Sequence, residues 1–212
     1  MKQLFTLFLL LVFCARAQSQ FFVVVIPTGG VDKGLIPEHG FLPGKQFKFY
    51  PTIDKYDFGG RKFRVEFYDH RDSLHITKLP CSAEELNNQS EFAGAGGAEK
   101  VHDYFRHLFP DAGLVLDSTA ADTLRVYLEA MDSRLTGIGV IRAHGLCSMR
   151  MQWNNFSKTY CVDITDKDPH SPVGKNAFVT RKTTTRIIQS AAIREAIEQF
   201  FIDLKAMKAP AP

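Results

Sequence analysis

The stretch IRAHGLCSMRMQWNNFSKTYCVDIT, Ile141 to Thr165, reads as two strands joined by a tight turn. Every second residue from Ile141 reads Ile141, Ala143, Gly145, Cys147, Met149, Met151, Trp153. That period-two apolar set is the mark of a strand with one buried face. Asn154-Asn155 then makes a two-residue turn of type I′, and the return strand Ser157–Thr165 buries Tyr160, Val162 and Ile164. This register pairs Trp153 with Phe156 and Cys147 with Val162. It puts Cys147 and Cys161 on opposite faces, which argues against a bond between them; Cys81 is left as a partner for either, and a buried free thiol is equally ordinary. Gly145, near the middle of the long strand, is a candidate bulge.

Upstream of this hairpin, Leu124, Val126, Leu128 and Ala130 alternate with Arg125, Tyr127 and Glu129, a third strand of the meander. Phe63, Val65 and Phe67 alternate with Arg64, Glu66 and Tyr68, the clearest strand of the front half. A helix over about Ala98–Phe109 presents Val101, Phe105 and Leu108 and stops at Pro110; the segment between, Asp69 to about Gly97, reads as loop. A second helix, about Thr184–Met207, carries the stripe Ile193, Ala196, Ile197, Phe200 and Leu204, with Thr183, Thr184 or Thr185 as its cap. The expected fold class is α+β: an antiparallel sheet with two amphipathic helices packed on one face, a two-layer sandwich.

The amino terminus gives an address. Met1-Lys2-Gln3 precedes an apolar run from Leu4 to Cys14 and then Ala15-Arg16-Ala17. This is the order of a secretory signal peptide cut after Ala17, too short for a retained membrane helix. Removing 17 of 212 residues leaves 195. The division is then 1–17 signal peptide, 18–60 an N-terminal strand (Phe21–Ile26) and loop region, 61–207 the α+β domain, and 208–212 a disordered tail. The expected location is periplasmic or secreted. Phe13 stands where a lipoprotein peptidase needs a small residue, which argues against lipid anchoring at Cys14.

Charge narrows the partners. The formal +3 falls to +1 without Lys2 and Arg16, too little for a dedicated nucleic-acid binder. Residues 81–132 carry three basic and ten acidic side chains, net −7; residues 142–186 carry eight basic and three acidic, net +5. Either the two stretches interleave on a solvated surface, or the basic one faces an acidic partner or anionic headgroups. No later segment is apolar enough to span a bilayer, so membrane contact would be peripheral.

The candidate chemistry is sparse. His102 and His107 lie about 140° apart on their helix, and His70 and His75 sit in a loop, so no metal site is expected. Asp163, Asp166 and Asp168 crowd a strand end without the spacing of a calcium loop. No cofactor is expected. The weak catalytic candidates are Asp69, His70, Arg71 and Asp72, grouped at a strand end and suited to a hydrolase only if other groups converge on them. Trp153, Phe156 and Arg150 are the candidate binding residues, an aromatic and basic hairpin tip; a packed corner is the competing reading of the aromatics.

One ordered pattern is familiar: Phe63-x-Val65-x-Phe67 ending in Asp69-His70-Arg71, a helix, Ala121-Asp122-x-Leu124-x-Val126-x-Leu128, a long strand, a return beginning Lys158-Thr159-Tyr160, and a final helix. Over residues 63–205 it resembles YajG-like envelope lipoproteins of Gram-negative bacteria. The resemblance implies a two-layer α+β domain in the periplasm, accessory to envelope processes, with no catalytic residues to carry over. The expected function is therefore an exported, non-catalytic envelope accessory or binding protein acting on a protein or envelope component. A secreted hydrolase near Asp69–Asp72 and a small-ligand carrier are the alternatives.

Overall fold

A computed structural model describes residues 52–86, 96–138, 141–169, 171 and 181–208. The expected signal peptide, the strand expected at Phe21–Ile26, and residues 209–212 of the expected tail lie outside the described residues. The elements run β1 (Arg61–Asp69), α1 (Arg71–Leu74), α2 (Gly96–Asp111), β2 (Leu114–Leu116), β3 (Thr123–Thr136), β4 (Arg142–Trp153), β5 (Phe156–Thr165) and α3 (Arg181–Lys208).

The hairpin register is the expected one. Trp153 pairs with Phe156, and Cys147 with Val162. The turn departs from type I′, because only Asn154 takes positive φ, at 52°, where that type needs it at both central residues.

The α+β class holds, but the five-stranded sheet is mixed rather than antiparallel. Its order is β2-β1-β3-β4-β5. β1 runs parallel to both neighbours, while β3, β4 and β5 form the antiparallel meander. The parallel pairing follows from α2, which lies between β1 and β2 as a crossover. The chain then passes from one side of β1 to the other through residues 117–122. Asp117 N–H donates to Phe63 O at 2.9 Å, and Arg64 N–H to Asp122 O at 2.8 Å.

The inner face of the sheet carries Phe63, Leu124, Val126, Leu128, Met149, Met151, Tyr160 and Val162, all buried against α2 and α3. Rings fill that space. Phe63 meets Phe109 at 6.3 Å, Phe105 meets Phe109 at 5.1 Å, and Phe109 meets Phe201 at 5.5 Å. Each fully buried ring of this kind contributes roughly 1.5–3 kcal/mol, and favourable ring pairs add about 0.5–1.5.

α3 is not amphipathic as expected. From Thr184 to Phe201 it is buried around its girth, including Gln189, Ser190, Arg194 and Glu198. One side packs on the sheet. On another, Tyr56 and Phe58 lie on Phe201 at 5.4 and 5.7 Å, and Asp54 N–H donates to the Glu198 carboxylate at 2.9 Å. An all-round buried helix shows little amphipathic signal. Nor do Thr183, Thr184 and Thr185 cap it. The helix starts upstream at Arg181, so they lie within it, Thr184 buried.

Two irregularities shape the sheet. The expected bulge at Gly145 is absent; Gly145 pairs regularly with Ser133 and Ile164. A glycine stands there because α3 comes down on it: a Cβ would lie 2.2 Å from Ile188 O. That close approach lets Gln189 Nε2 donate to Leu146 O at 3.2 Å. The bulge sits instead in β3, where the register shifts between Leu128 and Ala130. The extra residue turns Ala130 to the outer face, against the alternation expected for it.

Replacing Gly145 with alanine forces backbone apart rather than a flexible side chain. The expected cost is about 2–3 kcal/mol, read as a fall in the thermal midpoint of roughly 5–10 °C.

Candidate functional site

β4 alternation and the β3 bulge place Leu146 and Ala130 together on the outer face, where they would be wet without a cover. The segment 75–86 covers them. α1 ends at His75, whose φ of 46° turns the chain back over the sheet. Leu79 then buries itself against Ala130 and Leu146, with Ile76 and Leu86 around it. The segment holds its own shape through an antiparallel bridge between Lys78 and Glu85 and a 2.7 Å hydrogen bond from Leu86 N–H to Thr77 O. This strap is a partial third layer, which the two-layer expectation lacks.

The strap is fastened at two points. Cys81 and Cys161 form a disulfide with Cα atoms 5.8 Å apart, and Cys147 is a buried free thiol. Beside it, Ser82 Oγ donates to Asp163 Oδ2 at 2.6 Å, and His144 Nδ1 lies 2.9 Å from Asp163 Oδ1. Glu84 approaches the other ring nitrogen of His144 at 3.9 Å. The Asp163 hydrogen bond raises the His144 pKa despite burial. Burial pushes Asp163 upward, but the hydrogen bonds from His144 and Ser82 outweigh it and leave the carboxyl below its ordinary range. The order of the three groups is wrong for a nucleophile. Asp163 lies between Ser82 and His144, so the imidazole does not reach the hydroxyl it would have to deprotonate.

Beyond the strap the outer face is open and polar. Tyr68 pairs across strands with Tyr127, their rings stacked at 5.0 Å, and the Arg150 guanidinium lies 4.4 Å from the Tyr127 centroid. Arg150 Nε donates to Glu129 at 3.0 Å. Glu66 accepts from Arg125 Nε and from the Tyr68 hydroxyl, both at 3.1 Å. The Tyr68–Tyr127 ladder and Arg125 lie outside the candidates that the sequence offers, although β1 and β3 alternation puts both on one face.

The expected binding residues are not brought together. Arg150 stands on this outer face, whereas Trp153 and Phe156 face inward. Trp153 packs on Phe63 at 5.6 Å, with Arg61 over its ring at 4.0 Å. Phe156 meets Phe200 at 6.4 Å, and the buried Tyr160 donates its hydroxyl to Asp203 at 2.7 Å. The aromatics are a packed corner.

Asp69, His70, Arg71 and Asp72 do lie together, but as an ion pair with bystanders. Arg71 holds both carboxylate oxygens of Asp69, at 2.9 and 2.7 Å. Those hydrogen bonds set the Asp69 pKa below its usual value, the wrong direction for a proton acceptor near neutral pH. The His70 ring leans on Tyr127 at 5.1 Å, and Asp72 is exposed. His102 sits beside Phe67, and burial lowers its pKa.

Each carboxylate of the Asp163 group has its own protein partner. Asp166 accepts from Ala143 N–H at 3.1 Å, and Asp168 from the Thr165 N–H and hydroxyl. Among the described residues no group of three His, Cys, Asp or Glu side chains is placed to hold a metal. A cleft of about 200 Å3 opens beside β5, lined by Val162, Ile164, Asp168, Glu195 and Gln199. No described helix is long and apolar enough to cross a membrane.

These features define a mixed-sheet α+β domain with a disulfide-fastened strap over part of its outer face. No family model and no curated protein matches the chain. Among solved structures, Xanthomonas campestris protein XCC0632, of family DUF330, is 11% identical over 76% of this chain and 96% of its own, with a TM-score of 0.44. A minor lipoprotein from Acinetobacter baumannii is 11% identical over 71% and 96%, TM-score 0.37. An uncharacterised protein is 10% identical over 74% and 99%, TM-score 0.32. At these values no functional conclusion attaches to the likenesses.

Two stability measurements check the fastening. Cys81→Ser is expected to cost about 2–4 kcal/mol, the range for losing a native bridge. For the ion pair, a raised His144 pKa contributes stability that is complete below the ordinary value of 6.5 and lost as pH rises through the raised value. The gap in denaturant midpoint between the protein and His144→Gln should therefore be widest in mild acid and narrow toward alkaline pH. A gap that grows with pH would contradict the assignment.

Proposed function

We propose that the chain is an exported, non-catalytic accessory or binding protein of the cell envelope, acting on a protein or envelope component. The Cys81–Cys161 disulfide carries this reading. Bridges of this kind persist in oxidising compartments and are rare in the cytosol. Export agrees with the Met1–Ala17 pattern, and an envelope role with the resemblance of residues 63–205 to YajG-like lipoproteins.

Three features favour binding over catalysis. Asp69 is tied to Arg71. The His144 imidazole does not reach Ser82. Burial pushes the Cys147 thiol up to about 12, despite a small opposing pull from Arg71, which suppresses its thiolate. The ring-packed core between sheet and helices gives the small-ligand carrier no support. Of the binding candidates, Trp153 and Phe156 are engaged in the packed corner, and Arg150 is the one available at the outer face.

The address is tested by the amino terminus of the mature protein made with its own leader. A chain beginning at Gln18 and recovered outside the cytoplasm is the expected result. An uncleaved chain in the cytoplasm would overturn export, and a lipidated Cys14 would overturn release.

A further inference from the structure

We propose that the open half of the outer face is a docking surface for an acidic, extended polypeptide segment with carboxylates at alternate residues. The proposal rests on the binding role above and names the surface and the chemistry of the partner.

The strand register lays out the face as a grid. On β1 stand Arg64, Glu66 and Tyr68; opposite them on β3 stand Thr123, Arg125 and Tyr127. Continuing onto β4, Arg125 faces Gln152 and Tyr127 faces Arg150. Arg64, Arg125 and Arg150 thus fall on one diagonal, a step of one strand and two residues each time. Diagonal neighbours of this kind lie about 7–8 Å apart. Alternate side chains of an extended chain lie roughly 6.6–6.8 Å apart. The mismatch of about 1 Å per step is within reach of a guanidinium, so successive alternate carboxylates can meet successive arginines.

The charges are layered so that the cations face outward. Arg125, Arg64 and Arg150 are 51%, 46% and 33% exposed, whereas Glu66 is 31% and Glu129 14%. The carboxylates are already engaged: Glu66 by Arg125, Arg64 and the Tyr68 hydroxyl, Glu129 by Arg150 and Ser148. Arg125 and Arg150 each give Nε to that pairing, leaving the terminal nitrogens for a planar, two-point grip on a carboxylate. Tyr68 and Tyr127 supply an apolar flank beside the diagonal, in the residue types that carry binding energy at interfaces.

Size selects the kind of partner. With β5, whose Ser157 and Thr159 pair with Gln152 and Arg150, four strands spaced about 4.8 Å apart and three outward rows give a footprint of roughly 200 Å2. A stable interface between folded proteins takes about 800 Å2 from each side. A short segment fits; a folded domain does not. A lipid surface has no register and gains nothing from the diagonal.

The test uses the mature full chain with its disulfide intact. A labelled peptide alternating glutamate and threonine is titrated by fluorescence anisotropy. Its isomer with the glutamates in adjacent pairs is titrated beside it. The alternating peptide is expected to bind about tenfold tighter. Arg125→Gln and Arg150→Gln should each weaken it about tenfold, the order for losing one charge-assisted contact. Arg150→Lys should weaken it too, since charge is kept and the fork is lost. Arg64→Gln, at an exposed side chain, serves if the others do not fold. Equal binding of the two isomers, no binding of either, or a lysine variant indistinguishable from the parent would overturn the proposal. So would vesicles of anionic lipid that bind more tightly than the peptide. These outcomes leave the mature amino terminus untouched, so the surface and the export reading fail separately.

Discussion

The two-residue turn at Asn154-Asn155 sets the parity of the β4–β5 hairpin. It locks β4 and β5 into a register in which Cys147 stands opposite Val162 and Ser148 opposite Cys161. One residue of slip would exchange the faces of every side chain on β5. With this parity Cys147 is sealed in the core and Cys161 is on the outside. A disulfide from Cys161 must therefore reach across the outer face, and Cys81 is the residue that meets it. The strap, its small apolar core and the Ser82–Asp163–His144 contacts are consequences of where that bond can form.

The β3 bulge and Gly145 divide the labour between the two sides of the sheet. On the inner side Gly145 removes a side chain so that α3 can settle onto β4. On the outer side the extra residue between Leu128 and Ala130 breaks the alternation. It leaves a polar grid toward Tyr68 and Tyr127 and an apolar patch toward Ala130 and Leu146. The patch is covered by the strap, and the grid stays in contact with solvent. The exposed part of the sheet face consists of paired charges and stacked tyrosines.

Local period-two patterns made much of this fold legible from residues alone. The β4–β5 register, the inner faces of β1 and the first half of β3, and the stripe on α3 all follow from alternation or helical spacing. What escaped depends on distant chain. β2 is three residues long, too short for a period, and exists because α2 returns the chain beside β1. The parallel pairing of β1 follows from that return. The bulge is invisible because Ala130 suits either face. Gly145 reads as an irregularity within its strand, when its reason is a helix more than forty residues away. Trp153, Phe156 and Arg150 are neighbours in sequence, but alternation separates Arg150 from both aromatics. The outer grid was within reach of the same reasoning, since Tyr68, Tyr127, Arg125 and Arg150 are the residues left over once the inner faces are assigned.

The most direct measurement is the mapping of disulfide-linked peptides in the native, unreduced protein, with free thiols blocked before digestion. A linked pair containing Cys81 and Cys161, with Cys147 recovered as a free thiol, is the predicted result. A Cys147–Cys161 link would contradict the parity of the hairpin, and with it the strap, the division of the outer face and the site built on it.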